Sequence, residues 1–177
     1  MKKILLILLY GLLILPTSAQ TENKKNRISF ATTAGTGIAV NVPSYMSYIW
    51  QVSGYYHLTD RWFVGAGTGL SFYEKLLIPL YGDVKYQFGS KRMLIPYTEL
   101  LMGYSFAPDN EANGGFLVNP TVGVQYPLKN NMKLLLAVGY ELQKLERLKK
   151  QSDSYFAKEF AEKLSHHSIS VKLGILF

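Results

Sequence analysis

The sequence predicts an all-β fold. The expected architecture is an eight-stranded antiparallel up-and-down transmembrane β-barrel. A cleaved signal peptide precedes it, and a short helix sits in its last external loop. Three observations lead there. The ten residues 168–177, S-I-S-V-K-L-G-I-L-F, alternate apolar and mostly polar positions with a period of two, the signature of a strand with one greasy face. The N-terminus reads as an export signal, and no later run is apolar enough for a membrane helix. Aromatic residues on the greasy faces sort by height along the strands, which a membrane interface selects for.

The chain of 177 residues is long enough for one domain. Met1-Lys2-Lys3 is a basic start, residues 4–15 are almost wholly apolar, and Thr17-Ser18-Ala19 offers a cleavage site, so 1–19 reads as a signal peptide. No Cys follows the apolar run, so a lipoprotein anchor is not expected. Residues 20–27, Q-T-E-N-K-K-N-R, form a polar periplasmic leader expected to be flexible. Absence of cysteine excludes disulfides, thiol catalysis and Cys-ligated metals. Export makes nucleic acid an unsuitable partner. Without Lys2 and Lys3 the chain keeps 17 basic against 12 acidic residues, a charge suited to anionic lipid headgroups.

Turn-forming residues divide 28–177 into strand-like segments at about 28–40, 47–58, 62–74, 78–89, 93–106, 116–127, 132–145 and 167–177. If a membrane protein, the chain must close these into a barrel, because lipid leaves no partner for an open edge. The connections at 59–61, 75–77, 90–92 and 129–131 are short, 41–46 is medium, and 107–115 and 146–166 are long, so every second connection is a tight turn and all the long ones fall on the other side. Short periplasmic turns and long external loops have this asymmetry. Pro79, Pro96 and Pro127 lie near strand ends, where a missing N–H costs little; Pro120 is deeper, and a bulge or a locally unbonded position is expected there. Within 154–165, Phe156, Phe160 and Leu164 recur every four residues with Asp153 as a cap, which predicts a short amphipathic helix.

On the apolar faces, Tyr56, Trp62, Tyr86, Phe88, Tyr126 and Phe177 fall at the periplasmic end of the strands. Tyr48, Phe72, Tyr104, Phe106 and Phe116 fall at the outer end, with aliphatic residues between the two rows. Tyr and Trp pair an apolar body with a wet tip, so two such girdles mark the edges of a lipid layer.

The signal peptide, the alternating strands, the girdles and the terminal V-K-L-G-I-L-F together make residues 28–177 resemble the small eight-stranded OmpA/OmpX-type outer-membrane barrels, in particular the outer membrane protein beta-barrel domain family. The resemblance implies a monomer in the cell outer membrane, among outer-membrane lipid and lipopolysaccharide. It implies that Phe177, with Val171, Leu173 and Ile175, forms the signal read by the barrel-assembly machinery. No peptidoglycan-binding domain is appended, so a cell-wall tether is not supported.

An eight-stranded interior is just wide enough for side chains to fill. The inward set contains Asp83, Lys85, Glu99, Glu141 and Lys172. Buried charges must be paired, so an interior network is expected with Lys85 facing Glu99 and Lys172 facing Glu141. The expected role is structural or surface-interacting, with a plugged polar lumen and no cofactor, metal site or catalytic residue. Two alternatives stand beside it. Some such barrels modify lipid A with a Ser/His pair, and His166-His167-Ser168 supplies His-x-Ser, although alternation turns His166 and Ser168 inward. The third reading is a soluble periplasmic lipocalin-like barrel, with the greasy faces around a ligand.

Overall fold

Val, Ile, Thr, Tyr and Phe crowd the alternating segments, and such residues favour extended, pleated backbone. The structure is a computed structural model and describes residues 27–40, 46–73, 75–89, 93–108, 112–128, 130–153 and 156–177. The expected signal peptide at 1–19 and the leader up to Asn26 lie outside the described residues. The strands are β1 (Ile28–Ala39), β2 (Ser47–His57), β3 (Trp62–Phe72), β4 (Leu76–Gln87), β5 (Ile95–Phe106), β6 (Ala112–Asn113), β7 (Gly115–Pro127), β8 (Lys133–Asp153) and β9 (Phe156–Leu176). Each long strand pairs antiparallel with the next, and β9 returns to pair with β1 from Ala31↔Leu176 to Ala39↔Ser168. The sheet therefore closes on itself as an eight-stranded barrel, with the two-residue β6 added on β8.

The turns at the lower end, where β1 starts and β9 finishes, are tight. Between β2 and β3, Thr59 Oγ1 accepts the backbone N–H groups of Arg61 and Trp62 at 3.2 and 3.0 Å. Between β7 and β8, Asn130 and Asn131 both adopt left-handed backbone, φ 62° and 61°. Asn tolerates that region, and two such residues give the twist a hairpin needs. Phe177 is held on β1 by paired bonds, its N–H to Phe30 O and its carbonyl to Phe30 N–H, both 2.9 Å.

Two expectations need correction or refinement. The helix expected over 154–165 is overturned from 156 onward: no helix occurs among the described residues, and Phe156, Phe160 and Leu164 lie on β9. β8 and β9 run on past the barrel as a two-stranded ribbon, paired from Lys144↔Ser165 to Asp153↔Phe156. At about 3.4 Å per residue this ribbon projects on the order of 30 Å. A spacing of four fits a strand as well as a helix, because four is a multiple of two, and pairing with β8 supports the segment where an isolated short helix would be marginal. At Pro120 the pairing of β7 with β8 skips from Val118↔Leu142 to Thr121↔Gly139 without changing register. The position is locally unbonded, as a missing N–H requires, and there is no bulge.

Candidate functional site

Two surfaces carry the chemistry: the outer wall of the barrel and its lumen. Side chains alternate between them along every long strand. Within 28–142 and 169–177, every described outward position on the strands is apolar, aromatic, Gly, Pro or Thr; no charged side chain stands there. The outward threonines and the Trp50 indole find partners within the protein. Thr36, Thr68 and Thr98 donate to the carbonyls of Ser47, Pro79 and Thr121 at 3.0, 2.8 and 3.2 Å. Trp50 Nε1 donates to Thr32 Oγ1 at 3.1 Å, and Tyr104 OH to Gly114 O at 3.0 Å.

The residues expected in the aromatic girdles stand on this outer wall near the strand ends. At the lower end the Trp62 and Tyr86 rings approach to 4.8 Å and Tyr86 meets Phe88 at 4.9 Å. Tyr56 lies across from Val64 there, and Tyr126 and Phe177 are exposed at the same rim. At the upper end Tyr48 lies across from Phe72, Tyr104 across from Phe116, and Phe106 packs on Tyr104 at 5.2 Å. Val171, Leu173 and Ile175 share the outward face of β9, with Val171 and Leu173 exposed and Ile175 half-buried. The side chains of Phe156, Phe160 and Leu164 lie outside the described residues.

The lumen holds the ionisable groups. Asp83, Lys85, Glu141 and Lys172 are buried inside, and Glu99 points in beside them. Their contacts differ from the expected pairs. Lys85 sits across from Glu99 in the ladder, yet its Nζ has no hydrogen-bond partner and lies 4.1 Å from the centre of the Tyr97 ring. A ring face attracts a cation, so the aromatic stands where the carboxylate was expected. Glu99 Oε1 and Asp83 Oδ2 instead both meet the Tyr55 hydroxyl, the latter at 2.7 Å. Lys172 donates to Gln51 Oε1 at 3.0 Å rather than to Glu141. Glu141 Oε2 accepts from Asn119 Nδ2 at 2.7 Å, and Asn119 Oδ1 in turn accepts from Thr121. Neutral amides and phenols thus hold the charges in place of the direct ion pairs expected from the sequence.

Three tyrosine rings plug the middle. Each crosses a glycine directly opposite on a neighbouring strand: Tyr55 on Gly65, Tyr81 on Gly67 and Tyr97 on Gly123. A Cβ at Gly123 would come within 2.7 Å of the Tyr97 ring, and one at Gly67 within 2.6 Å of Tyr81. The glycines are the seats that let large rings lie across a narrow lumen. A cavity of about 20 Å³ remains, lined by Gln51, Asp83, Tyr97, Glu99, Thr121 and Lys172 among others. That is space for one water. Above it the lumen is closed by small hydroxyls: Ser47, Ser105, Ser168 and Ser170 are fully buried. His166 and Ser168 face this interior, not the outer wall, and the His166 ring packs against Tyr73 at 4.7 Å.

No protein-family model matches the chain, and no curated protein sequence does. Solved structures do. Crystalline Neisserial surface protein A superposes with a TM-score of 0.56 at 12 % identity, covering 84 % of this chain and 94 % of that one. Outer membrane protein AlkL, determined in lipid bilayers by solid-state NMR, gives 0.55 at 13 % identity, covering 89 % and 92 %. A de novo designed transmembrane β-barrel gives 0.51 at 15 % identity, covering 89 % and 98 %. At such identities the likeness establishes the architecture: this chain folds as the closed eight-stranded antiparallel barrel seen in small outer-membrane proteins.

Proposed function

We propose that the chain is a small integral outer-membrane β-barrel with a plugged polar lumen and a structural or surface-interaction role. One observation carries this reading: within 28–142 and 169–177 the outer wall is apolar and aromatic, with threonines that bond back to backbone carbonyls, while Asp83, Lys85, Glu99, Glu141 and Lys172 turn inward. In water that arrangement exposes the wrong face; in lipid it is the favourable one. Outer-membrane lipid and lipopolysaccharide surround the wall, and the outward face of β9 ending in Phe177 is what the barrel-assembly machinery reads. The ribbon formed by β8 and β9 leaves the barrel on the side of the long connections and is the element placed to meet partners at the cell surface. Catalysis on lipid A is not part of this reading, since Ser168 is sealed in the lumen, away from any acyl chain.

Membrane fractionation combined with gel mobility before and after boiling tests the proposal. The expected result is recovery in the outer-membrane fraction and a mobility that changes on heating. Recovery in the soluble periplasm without detergent overturns it in favour of a lipocalin-like barrel. A change in the acyl chains of lipid A on expression, seen by mass spectrometry, overturns the non-catalytic role.

A further inference from the structure

Two carboxyl groups meet one hydroxyl in the centre of the lumen. Tyr55 OH contacts Asp83 Oδ2 and Glu99 Oε1 together. A phenol carries a single hydrogen, and an ionised carboxylate has none to give. Tyr55 can therefore donate to only one of the two. The remaining contact sets oxygen against oxygen unless the other carboxyl brings a hydrogen of its own, and buried polar atoms in native proteins are seldom left in that state.

The charges that face this point do not relieve it by contact. From β4, Lys85 turns its nitrogen to the Tyr97 ring of β5. From β9, Lys172 donates to Gln51 of β2. On β8, Glu141 adds a third acid farther up, held by Asn119, while Lys133 begins the strand half-buried at the lower rim. His57 of β2 is engaged with Ser29, and Tyr81 of β4 with Ser53. The inward positions described on β1, β3 and β7 bring no acidic or basic group.

We propose that Asp83 and Glu99 form a proton-binding site bridged by Tyr55. One carboxyl is a neutral acid that donates to the Tyr55 oxygen, and Tyr55 donates to its ionised partner. The bound species is one proton, shared by the pair rather than fixed on either member. A small cation in the adjoining cavity could also offset charge, but it cannot supply the missing hydrogen. The inference concerns the lumen alone and stands whichever solvent surrounds the barrel.

Infrared spectroscopy of the full barrel, refolded in detergent in sodium-free buffer at neutral pH, tests it. Wild type and Glu141→Gln should show a protonated-carboxyl band that shifts when refolding is done in heavy water. Asp83→Asn and Glu99→Gln should each lose the band. In either variant one carboxylate remains to accept from Tyr55, and the new amide N–H replaces the absent hydrogen. No such band in the wild type overturns the proposal, as does loss of the band in Glu141→Gln alone. A missing band together with sodium-dependent stability identifies a bound cation and also overturns it. Carboxyl ¹³C shifts of the labelled wild type read the same hydrogen with no substitution: one acid-like resonance supports the site, and exclusively carboxylate-like resonances refute it.

Discussion

On β4, one residue step separates Val84, 41 % exposed, from Lys85, 1 % exposed. The same inversion repeats between Leu136 and Ala137 on β8 only in part, since there both neighbours are apolar. It returns in full between Val171 and Lys172 on β9. The outer wall is nearly uniform, and outside its few threonines and rim aromatics its positions need no particular partner. The lumen is heterogeneous, and Tyr55, Asn119, Glu141 and Lys172 each depend on one or two named neighbours. A uniform face should therefore tolerate changes of shape but not of charge, and a heterogeneous face should tolerate neither.

The largest effect expected is a charge on the wall. Val138→Arg should cost roughly 2–4 kcal/mol in denaturant titrations of the barrel folded into lipid vesicles. A loss within about 0.5 kcal/mol, ordinary for a water-exposed site, would remove the distinction between the faces. Next is an inward truncation. Asn119→Ala leaves the Glu141 carboxylate without its donor and should cost about 3 kcal/mol by the same titration, the upper range for a buried group stranded without a partner. Gly123→Ala pushes a methyl into the Tyr97 ring and should cost about 2 kcal/mol through overpacking. Its counterpart on the wall, Ala66→Val, adds more volume yet should change stability by less than about 0.5 kcal/mol. Equal losses for Gly123→Ala and Ala66→Val would show that the lumen is looser than its packing implies.

Which residues face in and which face out was readable from alternation alone, because the pleat fixes sides without any tertiary knowledge. Partners inside the lumen were not. Lys85 does stand across from Glu99, but a lysine stem can reach past its neighbour, and nothing in a one-dimensional pattern told that Tyr97 and Tyr55 would take the two charged ends. Asn119 acquires its task only when β7 and β8 are set side by side. The spacing over 156–164 is ambiguous between helix and strand, but a second feature of the sequence discriminates. The register puts Glu146 across from Lys163, Arg147 across from Glu162 and Lys150 across from Glu159. Opposite charges repeated in mirror order favour an antiparallel ladder.

The junction of β1 with β9 joins positions from nearly opposite ends of the folded chain, as Ala31↔Leu176 shows. Every other long pairing links consecutive long strands and can form by local zipping. β8 and β9 are the longest such pair, so this hairpin can assemble early and present a finished edge. The final docking of that edge onto β1 carries the greatest loop-closure entropy in the molecule. Assembly speed should accordingly be governed at that seam, and a cross-link between β1 and β9 should accelerate folding more than one placed between any two sequential strands.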